Sequence, residues 1–179
     1  MHRKVKLLDV ELVKVSLVPF ADTMIEKYHE WMQNSELLEE TGSKAMSLEE
    51  VKDIFFTYQT DPNKYAYMLC DRSLYNRENP GASMVGDVTL FINERLEGEI
   101  CIFLADTHYR KLGIASEVIQ FMISLCGGAL SLSKLIAKIS ENNLASQKLF
   151  KKMGFSEFAR DLDMREVHYY YMLSHSFTF

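Results

Sequence analysis

Residues 98–115 read GEICIFLADTHYRKLGIA, from Gly98 to Ala115, and this stretch decides the fold. Residues 99–105 set Ile100, Ile102 and Leu104 on one face and Cys101, Phe103 and Ala105 on the other. Apolar side chains on both faces predict a strand in the middle of a sheet. After a short loop, Ile114, Val118, Phe121 and Leu125 recur at helical period. The chain thus runs from a central strand, through Arg110, Lys111, Leu112, Gly113, Ile114 and Ala115, into the start of a helix. A helix N-terminus offers unpaired N–H groups and the positive end of the macrodipole. Gly113 allows close backbone approach and a positive φ. Ala115 keeps bulk out of the way, and Arg110 and Lys111 bring positive charge. The loop suits an anion such as a pyrophosphate. A solvated surface charge is the plain alternative for Arg110, and exposed loop positions are the plain reading of His108 and Tyr109.

Upstream, Val13, Val15 and Leu17 alternate with polar residues as a strand that Pro19 ends. Thr23 and Glu26 stand at capping-box spacing, followed by Met24, Tyr28 and Trp31 at helical period. Ser47 and Glu50 repeat that spacing before the stripe Leu48, Val51, Phe55 and Tyr58. Residues 65–70 and 84–92 read as strands around a polar loop holding Asn79-Pro80-Gly81. Downstream, Gly127-Gly128 stops the helix. Residues 135–139 form a strand. Asn143 opens a helix that closes at Gly154, and residues 155–160 and 164–173 are the last two strands.

With 179 residues, one domain spanning 1–179 is the natural prior. The net charge of −5 argues against a general nucleic-acid-binding surface. Cys70, Cys101 and Cys126 match neither a zinc pattern nor a disulfide framework, so we expect no metal and reduced, mostly buried thiols. Asp9, Glu11 and Lys14 interrupt any signal-peptide core, and no run reaches membrane-spanning length. The expectation is a cytoplasmic protein, with the nucleus as a second location and no membrane partner.

Beyond the loop, Asn143-Leu144-Ala145-Ser146 leads through Phe150 to Gly154-Phe155. The Arg-x-x-Gly-x-Ala loop and this segment, in that order, resemble the acyl-CoA signature of the GNAT superfamily of N-acetyltransferases. The Tyr28–Trp31 helix and Met84-Val85-Gly86-Asp87-Val88 look like its ribosomal-protein and N-terminal acetyltransferase branch. Within that branch the likeness is greatest to the eukaryotic N-acetyltransferase 9 group.

The resemblance implies an α/β (α+β) fold. Its central sheet is mixed, mostly antiparallel, of six to seven strands, with about four helices and splayed central strands. It implies acetyl-CoA as co-substrate and an amine acceptor, a protein N-terminus among the candidates. The backbone of Leu104, Ala105 and Asp106 would pair with the pantetheine arm. The N–H groups of residues 110–115 would hold the pyrophosphate. Asn143, with Ser146 in the same motif, would lie near the sulfur end. A strand N–H near Ala105 would stabilise the oxyanion. Glu99 would be the general base, its plain alternative being a surface carboxylate. Asn143 is equally explained as a helix cap.

Two departures stand out. Phe150 replaces a tyrosine credited with protonating the leaving thiolate, and Lys111 replaces a glycine, so the loop manages without positive φ there or carries strain. The expected reaction is direct attack of a neutral amine in a ternary complex. At pH 7 an α-amine costs about 1–1.4 kcal/mol to deprotonate and a lysine roughly 4.6, so a site with little base suits the α-amine. A non-catalytic acyl-CoA-binding module and a small-metabolite acetyltransferase are the alternatives.

Overall fold

The computed structural model describes residues 4–41 and 43–174. The elements run β1 (Val10–Glu11), β2 (Val15–Pro19), α1 (Ile25–Trp31), α2 (Ser35–Thr41), α3 (Leu48–Thr60), β3 (Lys64–Asp71), β4 (Met84–Ile92), β5 (Glu97–Leu104), α4 (Ile114–Gly127), β6 (Lys134–Ser140), α5 (Leu144–Lys152), β7 (Ser156–Asp161) and β8 (Glu166–Met172). The strands form one eight-stranded sheet in the order β1-β2-β3-β4-β5-β6-β8-β7. It is mixed: β5 and β6 are parallel, while β1/β2, β2/β3, β6/β8 and β7/β8 are antiparallel. The strand beyond the expected six to seven is β1, two residues paired with Leu17 and Ser16.

The chain divides into two compact units, and β4, β5 and α4 each contribute to both. The first takes residues up to Thr89 together with Ile102–Ile114. Its core is aromatic. Phe20 meets Tyr28 at 5.2 Å, Phe55 edge-on at 5.4 Å and Tyr58 at 6.4 Å between ring centroids. Such pairs add roughly 0.5–1.5 kcal/mol each beyond area burial. Met24, Trp31 and Val51 complete the apolar seam from the helices, and Ala66 and Met68 face it from β3. The capping box expected at Ser47 is present: Ser47 N–H donates to Glu50 Oε2 at 2.7 Å and Glu50 N–H to Ser47 Oγ at 3.3 Å. The one expected at Thr23 is not. A one-turn 3-10 helix, Asp22–Met24, precedes α1, and the Thr23 N–H goes to Asp22 Oδ1 at 2.8 Å. Lys4 closes the far end of α3, its ammonium donating to the carbonyls of Tyr58, Asp61 and Lys64. Burial lowers its pKa, against the opposing charge of Asp61.

The second unit takes Leu90–Cys101 and the chain from Ala115 onward. β6 alternates cleanly. Leu135, Ala137 and Ile139 are buried, as are Val118, Ile119 and Met122 of α4, while Lys134, Ile136 and Lys138 belong to the opposite face. Gly98 is required for packing rather than flexibility. A Cβ there would lie 2.7 Å from Leu90, 2.9 Å from Leu132 and 3.0 Å from Leu135. The parallel register of β5 and β6 runs Glu97↔Lys134, Gly98↔Leu135 and Glu99↔Ile136 and stops there, although both strands continue. The expected splay therefore begins after Glu99.

This parting corrects the expectation of a strand buried on both faces. Ile100 is buried, Cys101 is exposed, and residues 102–104 are half-buried. Cys70 and Cys126 are the interior thiols, pushed up to about 11 and about 12 by burial.

Candidate coenzyme loop and active site

The loop that leaves β5 is built by unusual backbone. Lys111 has φ 61° and Gly113 φ 85°. Glycine adopts this region without penalty, whereas lysine pays roughly 1–2 kcal/mol. The position where the family glycine is missing therefore keeps the glycine conformation and carries strain. Left-handed residues among ordinary ones turn successive N–H groups into a concavity of the kind that binds anions. A Cβ on Gly113 would meet nothing within 4 Å, so the space in front of it is open. The loop as built fits the diphosphate of a coenzyme.

Side chains hold this backbone in place. The Tyr109 hydroxyl donates to Asp71 Oδ2, at the end of β3. Asp71 Oδ1 accepts the Ser73 N–H at 2.7 Å and the Ser73 hydroxyl at 2.6 Å. The Ser73 hydroxyl, then Tyr109, holds the Asp71 carboxyl below its ordinary pKa. The bond to Asp71 pushes the phenol of Tyr109 up to about 12. The Lys14 ammonium donates to the Leu112 carbonyl, and the Arg110 guanidinium to the Leu104 carbonyl at 3.2 Å. Asp106 Oδ1 accepts from the His108 N–H at 2.9 Å and lies 2.8 Å from its ring Nδ1.

Where β5 ends, Val85 O accepts the Ala105 N–H at 2.8 Å and the Asp106 N–H at 3.3 Å. The two N–H groups expected to face the pantetheine and the oxyanion are thus both bonded to β4, and the Leu104 carbonyl is taken by Arg110. Gly86 makes this contact possible: a Cβ there would sit 2.2 Å from the Phe103 carbonyl oxygen. One residue further, the Asp87 carboxyl is buried. Burial raises its pKa to about 7, against a lowering hydrogen bond from Tyr28. Nothing in the sequence marks Asp87 as perturbed: its hydrogen-bond partner, Tyr28, stands almost sixty positions earlier.

In the second unit, Glu99 pairs with Lys138 at 2.7 Å and Glu97 with Lys134 at 2.8 Å, two rungs on one face of the β5/β6 ladder. The bond from Glu99 raises the Lys138 pKa. The Glu99 carboxylate is therefore bound to an ammonium rather than standing free as a base. Asn143 is the N-cap of α5, its Oδ1 accepting the Ser146 N–H at 3.0 Å. Phe150 is buried and edge-on to Phe155 at 5.0 Å. It fills the core and leaves no hydroxyl in the tyrosine's place. Among the described residues no group of three or more His, Cys, Asp or Glu side chains is gathered as a metal site, and no helix is long and apolar enough to cross a membrane.

The structure thus brings Leu104, Ala105, Asp106 and residues 110–114 into one tethered segment of the first unit. Glu99, Asn143 and Ser146 belong to the second unit, and Ala115 opens its share of α4. Sequence reasoning missed Lys14, Asp71 and the tethering role of Tyr109. Lys14 and Leu112 are 98 positions apart, and no local pattern joins them.

Residues 14–156 match the family model of the acetyltransferase (GNAT) domain. An N-acetyltransferase 9-like protein of Nematostella vectensis is 33% identical over 159 residues, covering 86% of this chain and 80% of the relative. The human alpha/beta-tubulin-N-acetyltransferase 9 is 33% identical over 162 residues, covering 86% and 78%. Among solved structures, spermidine N-acetyltransferase from Vibrio cholerae, in complex with CoA and spermine, superposes with a TM-score of 0.79 at 16% identity, covering 92% of this chain and 98% of that one. The family model and these relatives lead to one conclusion: the chain belongs to the GNAT family of N-acetyltransferases, in the N-acetyltransferase 9 group.

Proposed function

We propose that this N-acetyltransferase transfers the acetyl group of acetyl-CoA to the N-terminal α-amine of a protein or peptide, by direct attack within a ternary complex. The observation that carries the choice of amine is the Glu99–Lys138 pair at 2.7 Å. With Glu99 occupied and Phe150 lacking a hydroxyl, the site offers little help in deprotonation. An α-amine costs about 1–1.4 kcal/mol to deprotonate at pH 7, whereas lysine costs roughly 4.6, so the α-amine is the acceptor such a site can use. The human relative is named for acetylating tubulin, which supports a protein acceptor.

In this reading the loop at 110–115 holds the diphosphate and the end of β5 orients the pantetheine arm. The neutral amine attacks the thioester carbon, CoA leaves as the thiolate, and the extra amine proton passes to water. Positioning carries most of the rate. The Ala105 N–H would serve the oxyanion only on giving up its bond to Val85.

The experiment is a pair of peptides with acetyl-CoA, one with a free N-terminus and no lysine, the other blocked at its α-amine and bearing lysine. The first should be acetylated faster at pH 7. A clear lysine preference would remove the α-amine reading. Binding of acetyl-CoA with no turnover on any amine, spermidine included, would favour a non-catalytic acyl-CoA-binding module.

A further inference from the structure

The strained residue and its surroundings carry one more step, which rests on the coenzyme reading of the loop. Lys111 keeps φ 61° without being glycine, and such a conformation persists only where neighbouring contacts over-determine it. Those contacts surround it. Two positions before, the Tyr109 hydroxyl is bonded to Asp71 Oδ2. One position after, the Leu112 carbonyl is bonded to the Lys14 ammonium. Asp71 is itself fixed by the Ser73 N–H and hydroxyl. Both anchors belong to the first unit, Lys14 immediately before β2 and Asp71 at the end of β3.

We propose that Tyr109 and Lys14 are positioning residues of the coenzyme loop: they clamp it on either side of Lys111 and hold the anion-binding backbone ready before acetyl-CoA arrives. This chain thereby replaces a permissive glycine with a strained lysine and two tethers. A loop set beforehand binds more tightly because less ordering is left to be paid on association. The phenol, with its pKa near 12, stays a donor to Asp71 throughout the working pH range.

The test is calorimetry with CoA, together with turnover of acetyl-CoA and of S-acetylpantetheine, which lacks the diphosphate. Tyr109→Phe should weaken CoA binding about tenfold and raise the KM for acetyl-CoA equally, with kcat and melting temperature little changed. Lys14→Met should do the same to a smaller degree, about threefold. Turnover of S-acetylpantetheine should not change. In a Lys111→Gly background, where glycine holds φ 61° unaided, Tyr109→Phe should cost less than about threefold. Unchanged CoA affinity in Tyr109→Phe would overturn the proposal alone, as would an equal loss with S-acetylpantetheine. Absence of CoA binding by the unaltered protein would overturn the coenzyme reading itself and this proposal with it.

Discussion

Helices α4 and α5 both begin where the sequence suggests contact with coenzyme, yet they begin differently. α4 is reached through two left-handed residues, Lys111 and Gly113, with open space before the glycine. α5 is reached through a side chain: Asn143 Oδ1 takes the Ser146 N–H, and the Asn143 carbonyl takes the Gln147 N–H at 3.1 Å. A side-chain cap consumes donors that an anion would need. A start shaped by backbone conformation turns them outward. The same kind of sequence signal, a small or polar residue ahead of an apolar period, thus precedes an open left-handed loop in one helix and a side-chain cap in the other.

Substitutions can break this contrast. The largest effect is expected from Gly113→Trp, which should reduce acetyl-CoA affinity by more than about a hundredfold in calorimetry while the domain stays folded. Asp87→Asn should act on stability instead. The buried carboxyl binds its proton more tightly folded than unfolded, so its contribution is greatest below pH 4 and is lost as pH rises toward 7. A folded-state pKa of about 7 bounds the loss at about 4 kcal/mol. Urea titrations should show the wild type losing stability between about pH 4 and 7 and the asparagine variant losing less. Asn143→Ala should cost about 1 kcal/mol of stability and leave the KM for acetyl-CoA unchanged, which is the behaviour of a cap. A rise in that KM would make the two helix starts alike. The smallest effect is expected from Glu99→Gln. An exposed pair contributes roughly 0.2–1 kcal/mol, and an α-amine peptide should be acetylated within about tenfold of the wild-type rate.

Local chemistry made much of the fold legible. β4 spans Met84–Ile92 as its apolar run predicts, and the Ser47–Glu50 box and the Asn143 cap form as their spacing predicts. α2 escaped notice because it is short and depends on Asn34 Oδ1, which accepts the Glu36 and Leu37 N–H groups. β1 escaped because two residues have no period. Cys101 read as core because the pattern of a strand does not record where its partner departs. The turn of the loop at 110–115 was legible from Gly113, which has the positive φ that a glycine there allows. Its tethers were not, since Lys14 and Asp71 reach it only after the chain has folded. Asp87 illustrates the same limit: acidity is written in the residue, but burial is written in its neighbours.

The division into units has a consequence for synthesis. The first unit is interrupted: it needs residues 102–114, which leave the ribosome only after 90–101, residues that belong to the other unit. Its aromatic core must therefore wait, unfinished, while a piece of its neighbour is made. At about 5–20 residues per second, closing it is a matter of seconds after Thr89 emerges, and the Trp31–Phe103 contact at 5.7 Å can form only once Phe103 is out. A gene cut between Thr89 and Leu90 would yield no self-sufficient half, and a slow codon placed there would lengthen the exposure of that core to chaperones.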